Sequence, residues 1–348
     1  MTNVSSIDVL NLNTEELRKK FDALGIEPYR ADQVHQWIYE KGVYDFEHMT
    51  NLSVALRDRL RNEFTVELPK AVAKQRSDDD KSVKLLLELK KGDCVEAVYM
   101  PMKERKTLCI SSQVGCKFHC AFCASGQNGF MRNLTMGEIM GQVLMARDEA
   151  KDKKVTNIVF MGIGEPFDNY REMMRTVRQL NSKSALGIGS RKITISTCGV
   201  IPKIEMLSNE GLQVELSVSL HGPNDTVRGA IMPVNNAYPV KPLMEACRKY
   251  AQKTKRAITF EYILVKGVNA SVKEAEQLSR LLKGMLCKVN LIPYNPIEEF
   301  AHEPPSYPEI VAFQNALQSK GIKTTVRFSK GQDIQAACGQ LRSVRAKK

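Results

Sequence analysis

Long apolar runs are missing from this 348-residue sequence. No stretch approaches the roughly 18 consecutive apolar residues that a membrane-spanning helix needs. The first 20 residues, MTNVSSIDVLNLNTEELRKK, lack the apolar centre of a signal peptide. Internal repeats and low-complexity segments are also absent, and 43% hydrophobic with 26% charged residues is typical of a globular protein. We therefore expect a cytoplasmic protein with no membrane partner, long enough for one large catalytic domain and a smaller appendage.

Acidic residues are in the minority. Lys and Arg outnumber Asp and Glu 51 to 39, which gives a net charge of +12. Such an excess suits a polyanion, although composition alone fits a merely solvated basic surface equally well. Local clusters of basic residues favour RNA as the partner. These clusters are Arg57, Arg59 and Arg61; Arg191 and Lys192; and a C-terminal tail with Arg342, Arg345, Lys347 and Lys348.

The cysteine count argues against a disulfide framework. The nine cysteines are an odd number in a chain without an export signal. Three of them crowd into eight residues, which indicates a metal site. The nine are Cys94, Cys109, Cys116, Cys120, Cys123, Cys198, Cys247, Cys287 and Cys338.

The first 80 residues predict a small helical accessory domain that binds RNA. Its three short helices are expected after a cap at Thr14, over 31–41, and over 53–64, with Gly25 and Gly42 ending the first two. Residues 81–104 predict a β-hairpin around a Lys91-Gly92-Asp93 turn, preceded by a linker or loop at 77–81.

From residue 105 onward, strand-like and helical stretches alternate. Alternation of this length predicts a parallel sheet covered by helices, and six or seven units suggest an incomplete (β/α)6-type barrel in an α/β protein. A flat doubly wound sheet fits the periodicity as well. We place this core at 105–331 and a C-terminal segment at 332–348. The expected strands are 107–111, 157–161, 192–196, 214–220, 258–265, 288–292 and 323–328; the expected helices are 136–150, 170–180, 240–253, 272–282 and 308–320.

The cysteine cluster has the spacing CxxxCxxC, formed by Cys116, Cys120 and Cys123 after the first barrel strand. Three thiolates suit three irons of a [4Fe–4S] cubane and leave the fourth iron open. An open iron can chelate the amino and carboxylate groups of S-adenosylmethionine (SAM), which the reduced cluster cleaves to a 5′-deoxyadenosyl radical. A structural zinc normally has four protein ligands, and His119 is badly placed as a fourth. A cluster that only transfers electrons would usually have a fourth cysteine nearby.

Residues at predicted strand ends complete a SAM site. Strand 157–161 runs into Gly162-Ile163-Gly164-Glu165-Pro166, where the glycines allow close backbone approach and Glu165 can bind an ammonium group. Ser196, Ser219, His221 and Asn295 also lie at or just past predicted strand ends. Each of these four alone would more often be a turn or cap residue.

Together these motifs resemble a known family. CxxxCxxC followed by MGIGEP, ISTCGVIP, SLHGPND, NLIPYNP and DIQAACGQL is similar to the adenine-C2 RNA methyltransferases among the radical SAM enzymes. The resemblance runs from about Leu10 to Leu341 and includes YRADQVHQWIYEKG in the helical domain. It implies methylation of C2 of adenosine 2503 in 23S rRNA and of adenosine 37 in tRNA. It also implies a monomer that receives electrons from a donor such as a flavodoxin system.

The resemblance assigns roles to individual residues. A first SAM methylates Cys338, and a second yields the radical that removes hydrogen from that methyl group. The resulting carbon adds to C2, Glu96 accepts the proton, and Cys109 releases the product by forming a disulfide with Cys338. By the same resemblance, SAM contacts Gly164, Glu165, Ser196, Ser219, Leu220, His221 and Asn295. Cys94, Cys198, Cys247 and Cys287 match no catalytic position and are interpreted as packing residues.

Two alternatives stay open at this point. A sister group methylates C8 of the same adenosine with nearly the same motifs; the segment 286–291 (LCKVNL) and the N-terminal match favour C2. A non-catalytic iron–sulfur RNA-binding protein would have no need of Cys109, Cys338 or the SAM motifs. The Pro-rich loop 297–308 matches no function.

Overall fold

A computed structural model describes residues 6–150, 152 and 154–342, together with the backbone of 344 and 345. Within that part of the chain, no helix is long and apolar enough to cross a membrane.

The N-terminal unit contains the three predicted helices, α1 (Thr14–Ala23), α2 (Arg30–His35) and α3 (Val54–Glu63). The cap of α1 is Asn13 instead of Thr14, because the Asn13 side chain accepts from Glu16 N at 2.9 Å while the Glu16 carboxylate accepts from Asn13 N. A π-helical turn extends α2 to Lys41 and ends at Gly42 as predicted, with φ +68°. The two-residue strands β1 (Ile7–Asp8) and β2 (Phe64–Thr65) pair in parallel and close the unit.

A three-stranded antiparallel extension follows, made of β3 (Lys70–Arg76), β4 (Val83–Glu88) and β5 (Asp93–Pro101). The hairpin of β4 and β5 confirms the prediction. Strand β3 escaped prediction because all its residues are exposed and it has no alternating burial pattern. Residues 77–82 form the turn between β3 and β4, so of the two alternatives, linker or loop, the structure has the loop, within one sheet.

The core is an incomplete parallel barrel. After β6 (Lys106–Cys109) the chain forms a small antiparallel pair, β7 (Gln113–Gly115) and β8 (Phe130–Asn133). Each later strand pairs in parallel with the next one along the chain, which excludes the doubly wound order and confirms the barrel. These strands are β9 (Asn157–Phe160), β10 (Ile193–Thr197), β11 (Glu215–Ser219), β12 (Ile258–Leu264), β13 (Cys287–Pro293) and β14 (Thr324–Val326).

The free edge of β6 pairs with β5, so the extension and the barrel share one sheet. Strand β15 (Val344–Arg345) pairs antiparallel with the start of β5, at Cys94 and Asp93. Helices cover the barrel, and all five predicted ones are present; α6 and α7 were missed because each has only seven residues. The helices are α4 (Met136–Arg147), α5 (Tyr170–Asn181), α6 (Ile201–Leu207), α7 (Asp225–Ile231), α8 (Val240–Thr254), α9 (Val272–Leu282) and α10 (Tyr307–Gln318).

Candidate active site at the mouth of the barrel

A cavity opens at the carboxyl ends of the parallel strands, where active sites of β/α barrels lie. Its wall takes residues from the cysteine loop, from the ends of β9 to β14, and from the C-terminal segment. Among them are Cys116, Cys120, Cys123, Gly164, Glu165, Ser196, Ser219, His221, Glu261, Arg327 and Cys338. The structure therefore brings together residues that are far apart in the sequence.

The three clustered cysteines lie in the loop between β7 and β8. Gly115, at φ +76°, closes the base of this loop: a Cβ there would lie 1.8 Å from Gly129 O. All three thiols line the cavity, whereas His119 between them is exposed. A structural zinc ion normally takes four protein ligands, whereas a [4Fe–4S] cubane can bind three thiolates, each at a different iron. With three cysteines in this loop and His119 exposed, the ligand set suits the cubane better than zinc.

Burial disfavours the charged form of the clustered thiols: it raises the pKa of Cys116 to about 12 and raises the pKa of Cys120 well above its ordinary value. Binding iron makes such thiols into thiolates. The chemistry of these residues is thus compatible with an iron–sulfur cluster.

The loop after β9 is packed tightly against the residues that follow β6. Gly164 has φ +99°, and a Cβ on it would lie 2.5 Å from the Cβ of Gln113. The Glu165 carboxylate accepts from Phe167 N at 2.9 Å and from Cys198 N at 2.7 Å, which fixes its direction. Burial raises the pKa of Glu165. An ionised carboxylate accepts several hydrogen bonds and attracts a positive charge, so Glu165 at the cavity wall can bind an ammonium group of a ligand.

Of the other predicted SAM contacts, Ser196, Ser219 and His221 line the cavity. The Nδ1 of His221 accepts from Ile263 N at 2.9 Å, and burial lowers the pKa of this ring to about 3, so the imidazole is neutral. Leu220 is buried, and its N–H donates to Glu261 O. Asn295 is not in the wall.

The Asn295 side chain is occupied by the C-terminal segment. Its Nδ2 donates to Ser329 Oγ at 2.9 Å and to Cys338 O at 3.1 Å, and its Oδ1 accepts from Gln332 at 2.8 Å. A direct contact with SAM would require Asn295 to leave these partners.

Cys338 lies where two cavities meet. It lines the cavity with the clustered cysteines and also a smaller one lined by Cys109, Val98 and Met100. Burial and the neighbouring charge of Cys338 raise the pKa of Cys109 to about 12. Both thiols are free in this structure. The topology therefore brings the end of β6 close to Cys338, 229 residues further along the chain.

Glu96 on β5 is buried but lines neither cavity. Its Oε1 lies 3.2 Å from Lys84 Nζ, and its Oε2 accepts from Arg342 N at 2.8 Å. Burial raises the pKa of Glu96, and Lys84 opposes that shift. A raised pKa suits a base, whereas the carboxylate is not exposed to either cavity.

Three ionisable residues of the cavity wall were assigned no role in the site from the sequence. Glu261 is buried in β12; its Oε1 accepts from Ser217 and Asn290, and its Oε2 has no hydrogen-bond partner among the described residues. Arg327 follows β14, lines both cavities, and has its pKa raised by the charge of Cys338. Cys198 lines the cavity and its N–H holds Glu165. A lone glutamate inside the apolar strand ITFEYIL was the available signal for Glu261.

The predicted basic clusters are partly used within the protein. Arg57 and Arg59 donate to the backbone carbonyls of Glu47 and Leu24. Arg191 donates to Gln213 at 2.8 Å, and Arg342 pairs with Glu299. Lys347 and Lys348 lie outside the described residues, as does the side chain of Arg345.

Comparison with known proteins identifies the family. Residues 7–66 match the "Ribosomal RNA large subunit methyltransferase N-terminal domain" family and residues 110–279 match the radical SAM superfamily. A protein of Clostridium novyi named "Probable dual-specificity RNA methyltransferase RlmN" is 44% identical over 96% of this chain and 97% of its own length. One of the same name from Clostridium tetani is 46% identical over 97% of this chain and 96% of its own.

A solved structure agrees with these relatives. The crystal structure of a radical SAM methyltransferase from Sphaerobacter thermophilus superposes with a TM-score of 0.93 at 43% identity, covering 96% of this chain and 99% of that one. Sequence and fold agree over nearly the whole chain. The chain therefore belongs to the RlmN family of radical SAM RNA methyltransferases.

Proposed function

We propose that this enzyme methylates C2 of adenosine 2503 in 23S rRNA and of adenosine 37 in tRNA, through a methyl group carried by Cys338. One observation supports the route most strongly: Cys338 faces the cavity of the three clustered cysteines on one side and the cavity of Cys109 on the other. A residue that receives a group from one ligand and then reacts with a second thiol has to reach both places.

The residues at the barrel mouth would have separate roles. Cys116, Cys120 and Cys123 would hold a [4Fe–4S] cluster that would supply an electron, and SAM would supply the methyl group and the radical that abstracts hydrogen. Glu165 orients the ammonium end of SAM, with Gly164, Ser196, Ser219, Leu220, His221 and Asn295 as the other proposed contacts.

Release of the product falls to Cys109. The Cys109 thiol loses its proton, and the thiolate attacks the sulfur of Cys338. The electron pair of the bond from that sulfur to the product carbon goes to the carbon, which takes up a proton and becomes the methyl group, and a Cys109–Cys338 disulfide remains. A cellular dithiol then reduces it with two electrons. The proton from C2 goes to Glu96, whose carboxylate contacts Lys84 Nζ and Arg342 N in this structure.

The RNA has to present an unstacked adenosine to the barrel mouth. We assign phosphate contacts to the helical domain 1–80 and to the basic tail in 332–348, with 81–104 joining them to the core 105–331. We propose that the enzyme is a monomer and acts in the cytoplasm, where 23S rRNA, tRNA and an electron donor such as a flavodoxin system are available.

Nucleoside analysis tests the reaction. Protein reconstituted with iron and sulfide under anaerobic conditions is incubated with SAM, a reductant and either a 23S rRNA fragment or tRNA, and the digested RNA is analysed by liquid chromatography and mass spectrometry. We expect 2-methyladenosine from both RNAs. 8-Methyladenosine in its place would assign the chain to the C8 group, and unmodified RNA with bound protein would favour the RNA-binding alternative.

A further inference from the structure

The segment 329–342, which carries Cys338, has no regular secondary structure and includes one non-glycine residue, Gln335, in the left-handed backbone region. Gly331, Gln335 and Gly339 have φ angles of +65°, +52° and +88°. A left-handed conformation costs a non-glycine residue such as Gln335 roughly 1 kcal/mol or more, and it persists only where surrounding contacts enforce it. The position of Cys338 therefore depends on what holds this segment.

One ion pair of the antiparallel extension holds the segment on both sides of Cys338. Lys84 Nζ, on β4, donates to the carbonyl of the strained Gln335 at 3.2 Å and lies 3.2 Å from Glu96 Oε1. Glu96 Oε2 accepts from Arg342 N at 2.8 Å. The side chains of Lys84 and Glu96 are each only 11% exposed.

The turn between β3 and β4 adds two contacts to the start of the segment. Asp80 Oδ2 accepts from Gly331 N at 2.8 Å, and Asp333 Oδ2 accepts from Asp78 N at 3.1 Å. The cysteine loop holds the other end, because Ala124 N donates to Gly339 O at 2.6 Å and Ser125 Oγ donates to Leu341 O at 2.8 Å. The segment is thus suspended between the cysteine loop and the extension.

Burial of a lysine costs desolvation free energy, and replacement of a buried ion pair by apolar residues often leaves the stability of a protein unchanged. Within the described part of the chain, the Lys84 side chain contacts the Glu96 carboxylate and a carbonyl of the Cys338 segment. The Glu96 carboxylate contacts Lys84 and a backbone N–H of the same segment. The pair therefore serves the placement of this segment more directly than the cohesion of the sheet.

We propose that Lys84 is a positioning residue for methyl transfer: by holding the carbonyl of Gln335 and the Glu96 carboxylate, it keeps Cys338 at the junction of the two cavities. Asp80 supports the same placement through Gly331. This inference rests on the proposed function of Cys338 as the methyl carrier. It assigns the extension a role in catalysis that is separate from RNA binding.

The test compares Lys84→Met, Lys84→Arg and Asp80→Asn with the wild type. Misplacing a reacting group by about an ångström slows a reaction by roughly 100-fold. We therefore expect the rate at which SAM methylates Cys338, followed by peptide mass spectrometry, to fall at least about tenfold in Lys84→Met and Asp80→Asn, with partial recovery in Lys84→Arg. Iron content and SAM affinity should stay within about twofold, which a general loss of structure would not allow. Lys70→Met, at an exposed lysine of β3, removes the same charge and should behave as wild type.

Asp80→Asn separates positioning from any effect through Glu96, because Asp80 does not touch that carboxylate. If Lys84→Met fails to bind iron, the rate of Cys338 methylation in Asp80→Asn tests the inference. Methylation of Cys338 within twofold of wild type in the folded variants overturns the inference. If wild-type Cys338 is never methylated, the proposed function fails instead.

Discussion

Replacement of Gly164 by alanine should damage both the stability of the barrel mouth and its ability to bind SAM. At φ +99° the backbone of Gly164 lies where residues with a side chain rarely go, which costs of the order of 1–3 kcal/mol. The new Cβ would lie 2.5, 2.8 and 2.9 Å from Cβ, Cγ and N of Gln113. Overpacking of this kind costs a further 1–3 kcal/mol.

Gln113 cannot simply move aside. Its Nε2 donates to Asn133 at 2.8 Å and to Asp168 at 2.9 Å, and its Oε1 accepts from Glu165 N at 2.8 Å. We therefore expect Gly164→Ala to lower the free energy of unfolding by about 2–6 kcal/mol. Because the displaced loop carries Glu165, SAM affinity should fall as well.

Chemical denaturation and equilibrium dialysis with labelled SAM measure the two effects. Gly187→Ala is the matched control, since Gly187 also has positive φ, +60°, but a Cβ there meets nothing within 4 Å. It should lose only about 1 kcal/mol, from the backbone alone, and keep its SAM affinity. A Gly164→Ala protein as stable and as tight for SAM as the control would refute the reasoning.

Three further predictions concern the acid response, the cluster and RNA. Burial lowers the pKa of His35 from 6.5 to about 4. Between these values the unfolded chain binds a proton that the folded protein does not, so the free energy of unfolding should fall by up to roughly 3 kcal/mol as pH drops from 6.5 to 4. Denaturation curves of His35→Gln should lose this contribution, and an unchanged pH profile would contradict it. Anaerobically purified protein should carry about four irons per chain and cleave SAM when reduced; Ala at Cys116, Cys120 or Cys123 should abolish both, and stoichiometric zinc would exclude the cluster. The logarithm of the RNA association constant should fall by roughly 0.7–0.9 per neutralised phosphate per decade of salt; salt-independent binding would show that the +12 charge is only a solvated surface.

The barrel and part of its active-site wall could be predicted because they depend on local patterns. Most of the strands β9 to β14 are short runs rich in β-branched and other apolar residues, and the carboxyl ends of parallel strands meet at one edge. The spacing of the three cysteines in CxxxCxxC by itself indicates an iron–sulfur cluster. These features need no knowledge of distant contacts.

What escaped prediction depends on long-range packing. Strand β3 is exposed on both faces and becomes a strand only by pairing with β4. The partners of Asn295 come from the C-terminal segment, 34 to 43 residues away. Lys84 contacts a carbonyl 251 residues along the chain. No local sequence pattern indicates such contacts, because they form only when distant parts of the chain pack together.

The roles of Cys109 and Cys338 are tested most directly with Cys109→Ala. This variant should still load a methyl group onto Cys338 and attack the base, but it has no thiol with which to release the product. Denaturing gels and peptide mass spectrometry of reactions with labelled RNA should show RNA covalently attached to Cys338, and no such adduct in Cys338→Ala. A Cys109→Ala enzyme that turns over normally, or active wild-type enzyme whose Cys338 is never methylated, would contradict the proposed mechanism.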